Sequence, residues 1–103
     1  MREPKGAFRT LLSLVKGQTR GSGEIVGNNH VGDLTVSTVW VHDLSCYETA
    51  VGDDKGFHPI ARYDDRDAAM LGHAEWVMRV RDGQRDFTRL GYGNVIPDAP
   101  VRL

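Results

Sequence analysis

The sequence predicts an α+β fold: a small antiparallel β-sheet of about three strands packed against one main α-helix, with N- and C-terminal arms. Three observations carry that expectation. From Leu34 to His42 the side chains alternate. Leu34, Val36, Thr38, Trp40 and His42 share one face, with Thr35, Ser37, Val39 and Val41 on the other, the period-2 signature of a strand. Cys46 to Val51 repeats a strand-type composition after a short turn at residues 43–45. From Asp65 to Asp82 the apolar spacing changes to three and four, behind an aspartate-rich start that suits a helix N-terminus.

Taken in order, residues 1–33 read as an N-terminal arm. Phe8, Leu11, Leu12 and Val15 have the spacing of a short amphipathic helix entered at Pro4 and stopped by Gly17. So short a helix is marginal in water and needs a surface to lie on. The Gly-, Ser- and Asn-rich run 17–33 reads as a connector holding at most one short strand near Glu24–Val26. Residues 34–83 form the expected core. After the two strands comes the loop Gly52–Gly56. A third strand follows over Phe57–Tyr63, pushed toward a sheet edge because Pro59 has no N–H to give a ladder. Asp64 or Asp65 caps the helix, Asp67 adds negative charge to its first turn, and Gly83 suits the position after its end. Ala69, Met70, His73, Trp76, Val77 and Val80 fall on the face that should meet the sheet. Leu71, Ala74 and Met78 make a second, smaller apolar stripe on the opposite side. Residues 84–103 carry Gly91, Gly93, Pro97 and Pro100 and read as an extended C-terminal arm with one short strand near Asn94–Ile96.

Composition narrows the function classes. The chain has 103 residues, one domain at most, with 40% hydrophobic and 26% charged residues, ordinary for a globular protein. Thirteen basic and 14 acidic residues leave a formal net charge of -1, which removes the bulk attraction expected of a general nucleic-acid or membrane binder. No apolar run approaches the roughly 18 residues that a membrane-spanning helix needs. The run Leu11–Val15 is too short and polar-flanked for a signal peptide. A single cysteine, Cys46, excludes an intramolecular disulfide and fits a reducing compartment.

The residues with chemical potential each have a plainer use. His30, His42, His58, His73 and Cys46 lack the tight ligand pairs of a zinc site, so no metal or other cofactor is expected. His73 lies in the middle of the apolar helix face. There it should be a neutral core residue hydrogen-bonded to Glu48, Thr38 or Tyr47. Gly72 beside it fits close approach of helix and sheet. His73, Trp40 and Trp76 together form the expected polar part of the core. A Cys46 nucleophile with His42 or His73 can be written down, but a lone strand cysteine serves more often as a small buried hydrophobe. Asp53, Asp54, Asp64, Asp65 and Asp67 fit a solvated turn and a helix start rather than a cation site. Arg79, Arg81, Arg85 and Arg89, with Phe87 and Tyr92 interleaved, could grip a phosphate backbone, although a solvated helix end explains most of that run.

The central block also resembles a family of small proteins from tailed bacteriophages and prophages. The resemblance rests on Ser37-Thr38-Val39-Trp40, His42-Asp43, Tyr47-Glu48-Thr49, Arg62-Tyr63, Ala69 and Gly72-His73, standing in the order of the family's STVW, Asp-His, FET-type and RY…A…GH segments. The chain departs from that pattern in a shorter loop after the first strand, with His42 preceding Asp43. Residues 1–33 have no counterpart in it. The resemblance implies a phage origin, hence the cytoplasm of an infected bacterium or the virion, and implies no activity.

A small core, arms that need a surface and a second apolar stripe together predict a non-enzymatic protein working by protein–protein contact. Its partner would be itself, a host protein or a virion component. Leu71, Ala74 and Met78, with Phe8, Leu11 and Leu12, are the expected contact residues, and a homo-oligomer is the simplest form. The other readings are a metal-dependent or Cys/His enzyme module and a weak nucleic-acid accessory using the arginine run.

Overall fold

The computed structural model describes residues 23–103. The expected contact residues Phe8, Leu11 and Leu12 lie outside that range. Four strands form one antiparallel meander, each paired with the next in the chain: β1 (Ile25–Val31), β2 (Leu34–Val41), β3 (Cys46–Asp53) and β4 (Gly56–Tyr63). The sheet therefore has four strands rather than about three. The additional strand comes from the stretch read as a connector. Glycine and asparagine lower strand propensity there, but pairing with β2 outweighs that local preference. Among the described residues the sheet begins at Ile25, ahead of position 34, where the sequence places the start of the core.

Short turns set the register. Val31 pairs with Leu34 across Gly32-Asp33, and Gly32 takes φ +64 at the first turn position, where a two-residue hairpin favours glycine. Between β3 and β4 the Asp53 side chain accepts a hydrogen bond from the Lys55 backbone N–H at 2.9 Å, bending the chain back. The 3-10 turn His42–Leu44 joins β2 to β3. β4 is an edge strand of this sheet, as Pro59 predicts. Thr49 pairs with Ala61 and Ala50 with Pro59, so Ile60 is an extra, bulged residue; it is buried with the core.

The helix α1 (Arg66–Arg81) follows β4 after two residues. Asp65 is its N-cap, its side chain accepting from the Ala68 N–H at 2.8 Å, and Gly83 follows its end with φ +105. α1 packs across all four strands. Ala69, His73, Val77 and Val80 are its buried residues. Met70, expected on that face, is 47% exposed. At the margin of the stripe, its sulfur instead lies 2.9 Å from a guanidinium nitrogen of Arg66, one turn earlier.

The C-terminal region is folded onto the core rather than extended as an arm. β5 (Asp86–Arg89) and β6 (Ala99–Arg102) pair antiparallel, and the expected strand at Asn94–Ile96 is reduced to a single bridge between Tyr92 and Ile96. The Leu90 N–H donates to the Pro59 carbonyl at 2.8 Å, joining this hairpin to the edge of β4. Phe87 is buried among Ile60, Val77 and Val80, with Trp76 and Leu103 packed against the cluster. On the sheet face opposite the helix, Arg62 donates to Glu48 at 3.0 Å and to the Gly91 carbonyl at 2.9 Å, with its guanidinium 5.1 Å from the centre of the Tyr92 ring. These contacts bind the hairpin to both faces. Phe87→Ala should therefore destabilise the whole domain by about 3–5 kcal/mol, the usual cost of emptying a buried aromatic site. Urea unfolding followed by far-UV circular dichroism measures this; an unchanged midpoint would mean the hairpin is a detachable arm.

Candidate functional site

The chemically distinctive feature of the interior is a chain of hydrogen bonds where α1 crosses the middle of the sheet. Thr38 on β2 and Thr49 on β3 are direct cross-strand partners, which brings their hydroxyls to 2.6 Å on the helix-facing side. Thr38 Oγ1 also lies 2.7 Å from His73 Nδ1, and Thr49 Oγ1 lies 3.1 Å from the Tyr63 hydroxyl. At the outer end His73 Nε2 is 2.7 Å from Asn29 Oδ1 on the edge strand β1. Thr38 and Thr49 are fully buried and His73 nearly so.

This pattern fixes the proton positions. Asn29 Oδ1 can only accept, so Nε2 carries the proton and Nδ1 must accept from the Thr38 hydroxyl. Thr38 in turn accepts from Thr49, and Thr49 from Tyr63. Each polar group is satisfied, which the low dielectric of a core requires. Burial lowers the His73 pKa and raises that of the Tyr63 phenol, disfavouring the charged form of each. Two glycines make the approach possible. A Cβ on Gly27 would run into the His73 ring, and one on Gly72 would run into the phenol of Tyr63.

Of the sequence-predicted partners of His73, the structure selects Thr38. Tyr47 instead donates to Glu24 at 3.3 Å, and Glu48 bonds Arg62 on the other face. Thr49, Tyr63 and Asn29 are members that sequence reasoning did not single out, because strand register alone aligns them. Trp40 and Trp76 are half-buried rather than central. Trp40 packs edge-on to Tyr47 with centroids 5.0 Å apart, and Trp76 lies 6.1 Å from Phe87 with the Arg79 guanidinium 4.9 Å from its own centre.

The residues of the enzymatic readings do not converge. Cys46 points to the sheet face opposite His73, since it lies an odd number of residues from Thr49 on the same strand. Burial raises its thiol pKa, the reverse of what a nucleophile needs. His42 is exposed on the 3-10 turn. Among the described residues, no group of three or more His, Cys, Asp or Glu side chains could hold a metal ion. A shallow depression of about 510 Å³ lies between α1 and the C-terminal hairpin. Ile60, Trp76, Phe87 and Pro100 line it, with Gln84, Asp86 and Thr88 as the polar residues. It has the chemistry of a surface groove, without paired acid–base groups.

The arginine run is also dispersed. Arg79 bonds Glu75 at 2.8 Å, Arg85 donates to the Val80 and Gln84 carbonyls at the end of α1, and Arg89 donates to the Pro97 carbonyl. Of the four, Arg81 alone has no such bond among the described residues. The apolar stripe Leu71, Ala74 and Met78 is where the periodicity places it, on the outward side of α1. Leu71 is 75% and Met78 60% exposed, and Ala74 between them is exposed as well.

Comparison of the chain with protein-family models, characterised proteins and solved structures finds no match. Among the described residues no helix is long and apolar enough to cross a membrane.

The buried histidine makes stability depend on pH with a definite sign. In the unfolded chain His73 takes up a proton near pH ~6.5, whereas its folded pKa is lowered. Stability is then fully present above the unfolded value and is lost as pH falls through the interval down to the folded pKa. His58, also lowered by burial, acts in the same direction. Denaturant midpoints measured between about pH 8 and pH 5 should fall on the acid side of pH ~6.5. The slope should be reduced in His73→Gln and further in His73→Gln/His58→Gln. An acid slope unchanged in both variants would place the titration elsewhere.

Proposed function

We propose that this is a small bacteriophage protein with no enzymatic activity of its own, acting through protein–protein contact at the outer face of α1. The observation that carries this reading is the exposed stripe Leu71, Ala74 and Met78, continued at its edge by Met70. Single exposed apolar residues are ordinary on a protein surface, whereas neighbouring ones on one rigid helix make an adhesive patch. The other face of the same helix is consumed by the core, and the conspicuous histidine is engaged there with Thr38 and Asn29. The phage context rests on the resemblance of the central block. Action in the infected cell or as part of the particle follows from it.

The reading is tested at native expression level in the producing cell. After cross-linking in the intact cell, the wild-type chain should run well above the position of its 11.4 kDa mass. Leu71→Asp/Met78→Asp, with an unchanged circular-dichroism spectrum, should run at that position. Identical cross-linked patterns for wild type and variant would defeat the assignment of the contact to this face. Mass spectrometry of purified virions then separates a structural component from an accessory protein confined to the cell.

A further inference from the structure

The outer face of α1 carries its own charge complement, and this deepens the reading above, on which it rests, by naming the partner. Asp67, Leu71, Ala74, Met78 and Arg81 follow one another at alternating steps of four and three, so they form one nearly straight stripe. The acid stands at the N-terminal end, the base at the C-terminal end, and the smallest side chain at the middle. All five residues are exposed. Neither Asp67 nor Arg81 forms an ion pair among the described residues, while the other two arginines of the helix are engaged. Arg66 pairs with Glu24, and Arg79 with Glu75.

We propose that this face pairs with the same face of a second copy of the chain, the two α1 helices running antiparallel about a two-fold axis at Ala74. Ala74 and its counterpart lie on the axis, where a small side chain allows close approach. Leu71 then falls alongside Met78 of the second copy, and Asp67 meets Arg81 at both ends. The antiparallel order also sets opposite ends of the helix dipoles together. A parallel order would place acid on acid and base on base. A surface that is self-complementary under a two-fold rotation is what an isologous dimer requires. A protein of different sequence would have to supply a basic group and an acidic group at the same span.

The contact is small. At a rise of about 1.5 Å per residue and a width of about 10 Å, the helix presents a face on the order of 240 Å², below the usual ~800 Å² per partner of tight complexes, so the association should be weak and concentration-dependent.

Sedimentation equilibrium of the purified full chain, from about 5 µM to about 500 µM, decides the matter. The wild-type mass should rise from one chain toward two. Asp67→Arg and Arg81→Asp should each weaken association at least tenfold by like-charge opposition. The double variant Asp67→Arg/Arg81→Asp should recover it, because the pair is restored with its sign reversed. Thermal melts of all three separate loss of pairing from loss of fold. A monomer at every concentration, or a folded double variant that stays as weak as the single ones, overturns the self-pairing. If the purified chain is monomeric while the complex cross-linked in the cell still disappears in Leu71→Asp/Met78→Asp, the face binds a different protein. If both experiments show a lone chain, the contact reading itself fails.

Discussion

The hydrogen bond between His73 Nδ1 and the Thr38 hydroxyl governs how this protein is put together. It links the centre of the only α-helix among the described residues to a fully buried position in the second strand. A helix held by apolar contacts alone can rotate or slide with small losses, since hydrophobic burial has no direction. A buried imidazole loses far more if it turns away from its partners, because an unsatisfied polar group in a core costs about 1–3 kcal/mol. The polar chain thus acts as a registration pin, and the apolar residues Val77, Val80 and Ala69 supply the adhesion around it.

Several otherwise separate features follow from that pin. Gly27 and Gly72 stand where the His73 and Tyr63 rings press on neighbouring backbone, so both lack a side chain. Asn29 belongs to an edge strand and is itself exposed, yet it closes the outer end of the chain and gives β1 a reason to stay attached. The azimuth of α1, once set by His73, turns Leu71, Ala74 and Met78 outward. The surface proposed for partner contact is in this sense a consequence of how the interior is wired.

The C-terminal hairpin shows a different economy. The meander and the helix leave Ile60 and Trp76 at the margin of the core, and Phe87 covers them from β5. On the other face Arg62 spans from Glu48 to the Gly91 carbonyl, with Tyr92 against its guanidinium. A partly buried guanidinium is tolerable where its charge is met by a carboxylate and a carbonyl. The arginines that looked like a basic run are separated by this folding, since three of them are spent on helix-end and hairpin carbonyls or on a neighbouring carboxylate.

How much of this was legible in the sequence depends on the range of the interaction involved. Strands 34–41 and 46–53, the capped helix and its two stripes were readable because alternation and capping are local properties, written in residues a few positions apart. The candidacy of Thr38 as partner for His73 followed from its place on the inward face of a strand. Strand β1 was underestimated because Gly27, Asn28 and Asn29 have weak strand propensity, and pairing to β2 overrides it. Phe87 was read with the arginines around it, since nothing local shows that it reaches Ile60 more than twenty residues earlier. The element types, the cap and the outward apolar stripe are products of short-range periodicity and can be read from neighbouring residues. The fourth strand, the folded-back hairpin and the Asn29–His73–Thr38–Thr49–Tyr63 chain emerge only on folding, because each depends on long-range register that no single segment encodes.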